Sequence, residues 1–194
     1  MPNRPIFDRR NGQYITESVN GYADPGTAES TESAVSDQLS RLFSIQASNS
    51  ASLGILGGSV NVSVRIDNPA NSGRTLYLKK IIGNTSISLS LLSSFSGQVT
   101  ALSGGTLTSP STVVPANLHL GSSVTSVAAT TSSTSAVSGG TTFVLYPLFP
   151  GGFGIDFNGS VNVPPGQTLS ANVVGSLSVL GVLGTAIEVI WWEI

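Results

Sequence analysis

From residue 59 the chain alternates. Val60, Val62, Val64 and Ile66 are separated by Ser59, Asn61, Ser63 and Arg65, the period-two pattern of a strand with one face in a core and the other in water. The tract Asp67-Asn68-Pro69-Ala70-Asn71-Ser72-Gly73 then supplies the Pro and Gly of a turn or short loop. Over residues 75–82 the alternation contradicts itself. Leu76, Leu78 and Lys80 fall on one face, and Tyr77, Lys79 and Ile81 on the other. One end of this strand is therefore expected to be bulged or exposed on both sides.

Similar patterns predict strands at 86–92, 95–102, 112–118, 123–131, 142–149, 159–163, 168–174 and 185–193. Gly104-Gly105, Gly139-Gly140, Pro150-Gly151-Gly152 and Pro164-Pro165-Gly166 punctuate them. Short strands at this spacing, with no helical run between them, predict an all-β fold, a β-sandwich with a jelly roll as its expected topology. An α/β fold would need crossover helices, and the pattern leaves no room for them. The serine-rich tract Thr130 to Ser138 reads as a solvated strand edge or hairpin.

The first 38 residues lack this periodicity. Ile6, Phe7, Tyr14, Ile15, Val19 and Tyr22 are scattered among Pro, Gly, Asn and acidic residues, so the segment cannot bury much by itself. Residues 1–38 are expected to form an extended N-terminal arm, with a short helix over 30–42 capped by Ser30, and residues 39–194 the sandwich domain. As an arm it either does nothing specific or orders on another subunit. Its Ile and aromatic positions exceed what a solubilising tail needs, which favours the second. The last strand is also unusual. Ile187, Val189 and Trp191 share one face, while Ala186, Ile190 and Trp192 share the other with Glu188. A sandwich strand normally shows one face to water. The Trp192 face must therefore be covered by a loop, by the arm or by a neighbouring subunit.

Charge sharpens the boundary. Of 18 formal charges in 194 residues, ten lie in residues 1–41, and residues 81–155 contain none. With only Arg9-Arg10 and Lys79-Lys80 as positive clusters and a net charge of −2, the chain has no stripe for a phosphate backbone, so no nucleic-acid partner is expected. No window approaches a membrane-spanning length of apolar residues. The charged start is followed by no apolar h-region, so no Sec-type signal peptide is expected.

Candidate chemistry is sparse. Zero Cys and one His exclude thiolate or histidine metal clusters and thiol nucleophiles. No serine stands in a GxSxG frame, and His119 between Leu118 and Leu120 reads as a solvent-facing strand residue. Paired carboxylates would have to come from Asp67, Asp156, Glu188 and Glu193, which suggest no cleft. Asp67-Asn68 and Asp156-Phe157-Asn158 lack the ligand density of a calcium loop. Gly54-Ile55-Leu56-Gly57-Gly58 and Gly151-Gly152-Phe153-Gly154 are not followed by Lys-Ser/Thr, so they read as turns. Asn-x-Ser triplets at Asn61, Asn84 and Asn158 are expected by chance in so Ser-rich a chain. No catalytic residue, metal or cofactor is expected.

Three features carry a resemblance: Val64-Arg65-Ile66-Asp67-Asn68-Pro69 followed by Tyr77-Leu78-Lys79-Lys80-Ile81, the Val163-Pro164-Pro165-Gly166-Gln167 turn, and the terminal Glu188-Val189-Ile190-Trp191-Trp192. In these the body resembles the small β-sandwich and jelly-roll subunits of phage fibres, virions and bacterial surface or spore appendages. The resemblance implies assembly through an N-terminal extension that adds to a neighbour's sheet. The expected function is thus a non-enzymatic structural protein that self-assembles, as a homo-oligomer or with other appendage subunits, in a virion or extracellular filament. Ile6, Phe7, Tyr14, Ile15 and Trp192 are the expected subunit-interface residues. The alternative is a carbohydrate- or receptor-binding module at a fibre tip, which exposed Tyr146, Phe149 and Phe153 on one rim would favour.

Overall fold

Alternation of apolar and hydroxyl side chains builds nearly all of the structure. The computed structural model describes residues 34–35, 38–88 and 93–194, and the backbone of residues 5–7 and 14–16. Internal contacts divide the chain into two units, residues 1–30 and 31–194. In the first, β1 (Pro5–Phe7) and β2 (Tyr14–Thr16) pair antiparallel, with Ile6 opposite Ile15 and Phe7 opposite Tyr14. The aperiodic sequence does not predict these strands.

In the second unit, residues 34, 35, 38 and 39 carry helical backbone. The strands follow: β3 (Leu42–Leu53), β4 (Gly58–Asp67), β5 (Leu76–Ser88), β6 (Phe95–Ser103), β7 (Ser111–Thr112), β8 (Ala116–Asn117), β9 (Ala129–Ser133), β10 (Thr141–Leu148), β11 (Gly151–Val163), β12 (Thr168–Leu177) and β13 (Gly181–Glu193). They form an all-β sandwich of two antiparallel sheets, ordered β10-β6-β12-β4-β9-β7 and β11-β5-β13-β3-β8.

The long strands pair from the outside of the sequence inward: β3 with β13, β4 with β12, β5 with β11, and β6 with β10. The segment between β6 and β10 supplies the short strands. Its β9 and β7 extend one sheet beyond β4, and its β8 extends the other beyond β3. One side of the sandwich is thereby covered, while β10 and β11 form open edges on the other.

Phe43, Ile45, Val62, Val64, Ile66, Leu78, Ile81, Val99, Val173, Ile187, Val189 and Trp191 meet in the core. Burying each large apolar side chain contributes about 1.5–3 kcal/mol. The parity conflict in β5 is resolved as expected, by a bulge. The register with β13 slips between Ile190–Lys80 and Trp191–Leu78, so Lys79 is the extra residue and Leu76, Leu78 and Ile81 all turn inward.

Several strand boundaries differ from the sequence expectation. The strand expected at 112–118 is split into β7 and β8, because Pro115 lies between them and cannot donate to a ladder. The strand expected at 123–131 begins only at Ala129. The tract expected as a solvated edge is instead an internal strand over residues 130–133. There Thr130 and Ser133 are buried, and their hydroxyls donate to the carbonyls of Val113 and Thr108. Expected strands 75–82 and 86–92 are joined in β5, whose described part ends at Ser88. β11 starts eight residues earlier than expected, at Gly151.

Candidate functional site

The chemistry considered from sequence is dispersed by the fold. Asp156 stands on β11 and His119 lies just beyond β8, at opposite edges of the five-stranded sheet. Four strand spacings of about 4.8 Å separate them by on the order of 19 Å. His119 is exposed, and its backbone N–H donates to Asn117 Oδ1 at 2.8 Å. Asp67 accepts Arg65 at 2.6 Å and the Thr168 hydroxyl at 2.5 Å. Asp156 faces Lys80 at 3.3 Å. Among the described residues no group of three or more His, Cys, Asp or Glu could hold a metal ion, and no helix is long and apolar enough to cross a membrane.

Glu193 is wholly buried at the end of β13. Its Oε2 accepts Arg74 Nη1 at 3.1 Å, and its Oε1 accepts the Ser126 hydroxyl at 2.5 Å and Trp191 Nε1 at 3.2 Å. The Val127 N–H completes the shell at 3.2–3.3 Å. A buried carboxylate so fully bonded has no lone pair left to attack or abstract; it fastens the insert to the last strand.

Of the expected interface residues, Ile6, Phe7, Tyr14 and Ile15 fall on β1 and β2, where the backbone is described and the side chains are not. Trp191 is in the core, as its face of β13 requires. Trp192, on the other face, is 4% exposed and packs with Val35, Leu42, Tyr77 and Ile190 of its own chain. Tyr77 stacks on it, with ring centroids 5.8 Å apart and planes at 11°. Gly159 closes the far side in a left-handed conformation (φ +80°); a Cβ there would lie 2.5 Å from the Trp192 ring.

The outer face of the five-stranded sheet carries an open groove of about 960 Å³, lined by Gln46, Ser48, Lys80, Asn84, Gly154 and Glu188 among others. Its floor is low because β13 and β11 present Ala186, Gly152 and Gly154 there. Phe153 lines this groove and packs partly on the core, whereas Tyr146 and Phe149 are exposed.

The two ends of the sandwich are unlike. At one end lie Arg41, Arg65, Asp67, Arg74 and Glu193, with Asn68 clamped between the loops. The Asn68 amide donates to the carbonyls of Arg74 and Val163, both at 2.8 Å, and its backbone exchanges bonds with Gln167 and Gly166. At the other end the β3–β4 and β12–β13 connections meet, beside residues 93–94 that lead into β6. Gly57 (φ +67°) presses so closely on Leu177 O that a Cβ would sit 2.0 Å from it, and the Ser178 N–H donates to Ser94 O. The β10–β11 turn opens at the same end, since Leu148 pairs with Gly97 near the start of β6 and Gly151 with Thr85 near the end of β5.

This second end bears large apolar side chains where turns ordinarily carry polar ones. Ile55 is 81% exposed, Leu56 96% and Phe149 85%, with Leu180 and Val182 also exposed. Residues 42–64, 81–155 and 157–187 contain no Asp, Glu, Lys or Arg, so no charge borders these tips along the chain. Sequence reasoning passed over them as ordinary Gly/Pro turns. The available signal was a large aliphatic or aromatic residue inside each turn, as in Gly54-Ile55-Leu56-Gly57 and Phe149-Pro150-Gly151. In comparisons with known proteins no family model matches this chain, and no curated protein or solved structure matches it significantly.

Proposed function

We propose that this chain is a non-enzymatic structural subunit of jelly-roll topology, which self-assembles through its N-terminal arm and sheet edges in a virion or extracellular appendage. The pairing order supports the topology. Taking the eight long strands in chain order, the first pairs with the eighth, the second with the seventh, the third with the sixth and the fourth with the fifth. Such nesting is what one long hairpin folded into two layers, as in a jelly roll, would give.

One observation carries the assembly reading. Residues 1–30 form a unit of their own, and every described core residue belongs to the other unit. A lone two-stranded hairpin is marginal in water, and strands of three residues gain stability by adding to another surface. The test compares the full chain with one lacking residues 2–30, by light scattering and negative-stain microscopy. Truncation stops at residue 30 because Val35 covers Trp192. The full chain should form oligomers or filaments, and the truncated chain a folded monomer. The same oligomer from both would overturn the reading.

A second reading, a carbohydrate- or receptor-binding module, draws on the groove beside Gln46, Ser48, Asn84 and Glu188, whose amides and hydroxyls suit a neutral polyhydroxylated ligand. Glycan-array binding that is lost in Asn84→Ala would favour it.

A further inference from the structure

The apolar tips sit at the end of the body opposite to the one where the chain enters it. Residues 34–42 lead into β3 at the charged end, where the Glu193 N–H donates to Arg41 O, whereas Ile55, Leu56, Phe149 and Leu180 stand at the far end. The two binding surfaces of such a subunit, an apolar-bearing arm at one end and exposed apolar turn residues at the other, are different from each other. A contact between unlike surfaces is heterologous, and where its rotation does not close it generates an open filament.

We propose that the apolar end, centred on Ile55, Leu56, Phe149 and Leu180, is the receptor for the N-terminal segment of a second copy of this chain, which docks through Ile6, Phe7, Tyr14 and Ile15. The inference rests on the assembly reading and names the surface that reading leaves open. Three observations select this occupant. The first is polarity. The arm precedes residues 34–42, which enter the body at the charged end, and the apolar tips stand at the opposite end. Copies stacked head to tail therefore bring the arm-bearing end of one to the apolar end of the next.

The second is charge. Within the arm, residues 11–16 are uncharged around Tyr14 and Ile15, whereas Ile6 and Phe7 stand between Arg4 and Asp8-Arg9-Arg10; the sequence around the receiving tips is uncharged. Contact therefore buries no unpaired ion from that end, and apolar area decides it. The third is the chemistry of the tips themselves. A membrane-inserting end is normally ringed by Lys or Arg and by interfacial Trp or Tyr; neither flanks Ile55, Leu56 or Leu180, and only Tyr146 stands near Phe149 in the sequence. A lipid surface is thus the weaker partner.

The test uses three proteins: the full chain, the chain lacking residues 2–30, and a full-length tip variant with Ile55→Ser, Leu56→Ser, Phe149→Ser and Leu180→Ser. The single variant Leu56→Asp serves if the fourfold one does not fold. Circular dichroism and thermal melts establish folding, and light scattering with electron microscopy reads assembly. The full chain should polymerise. Each variant alone should stay monomeric, because one lacks the plug and the other the socket. An equimolar mixture should give a dimer and nothing larger, since only one arm and one intact end remain complementary.

Tip variants that polymerise like the full chain would overturn the proposal while leaving arm-mediated assembly standing. Polymers from the truncated chain, or a full chain that stays monomeric, would overturn both. Co-sedimentation of the full chain with phosphatidylcholine vesicles, lost in the tip variant, would assign the end to lipid and overturn the proposal.

Discussion

Arg74 reaches across the end of the sandwich to Glu193, 3.1 Å away, and brings the β4–β5 loop onto the last strand. Because Glu193 also holds Ser126 and Val127, one carboxylate joins three parts of the chain distant in sequence. Glu193→Ala should lower stability by about 3–5 kcal/mol, since it strands the partners of a buried pair. Arg74→Ala should cost less, because water reaches the guanidinium site, and Glu193→Gln less than Glu193→Ala, because the amide oxygen can still accept. Denaturant unfolding of the three variants checks the order.

Trp191 and Trp192 are expected to be similarly costly to truncate, about 3–5 kcal/mol each, although they lie on opposite faces of β13. Both are closed in, Trp191 by the core and Trp192 by Tyr77, Val35 and Gly159. Single-tryptophan variants should both be poorly quenched by acrylamide.

Gly159→Ala should destabilise by about 1–3 kcal/mol, because a methyl group in a left-handed backbone would have to displace the Trp192 ring. Its signature is a red shift of Trp192 emission with little change in the far-ultraviolet spectrum.

Asn68→Ala removes both bonds that its amide gives to the carbonyls of Arg74 and Val163. Leaving those acceptors without their donor should cost about 2–3 kcal/mol, seen as a lower melting temperature. Asn68→Asp should be no better, since a carboxylate cannot donate to either carbonyl.

Dialysis against EDTA should leave the melting temperature within a few degrees. The acidic residues considered as cation ligands, Asp67 and Asp156, already face Arg65 and Lys80. A large drop would reveal a cation bound by the native state.

The sandwich was legible wherever Val, Ile or Leu marked every second position, as in β4, β12 and the end of β13. The first half of β5 was legible, including the parity break at its bulge, though not its continuation into the strand expected at 86–92. β3 was not, although it alternates from Ile45 onward. Its inward positions after Ile45 are Ala47, Asn49 and Ala51, too small or polar to stand out against Ser44, Gln46, Ser48 and Ser50, and Asn49 satisfies itself on Asn61 O at 2.7 Å. The first half of β11 hid behind its glycines, which read as turns but pair in register with β5, Gly154 lying beside Lys80 and Ile82. The apolar end was not legible, because only the pairing of distant strands sets the β3–β4, β10–β11 and β12–β13 turns at one end.

The nested order of strands also governs when the molecule can form. Leu42 lies opposite Trp192, so the first strand of the body waits for the last to be synthesised. The innermost pair, β6 and β10, can close much earlier. A growing chain therefore carries β3 without its partner until β13 has left the ribosome. Long-range closures of this kind place refolding in the range of about milliseconds to seconds. Loss of β13 would leave β3 and β5 facing each other across a vacant position, so the emergence of this one strand acts as the checkpoint for folding.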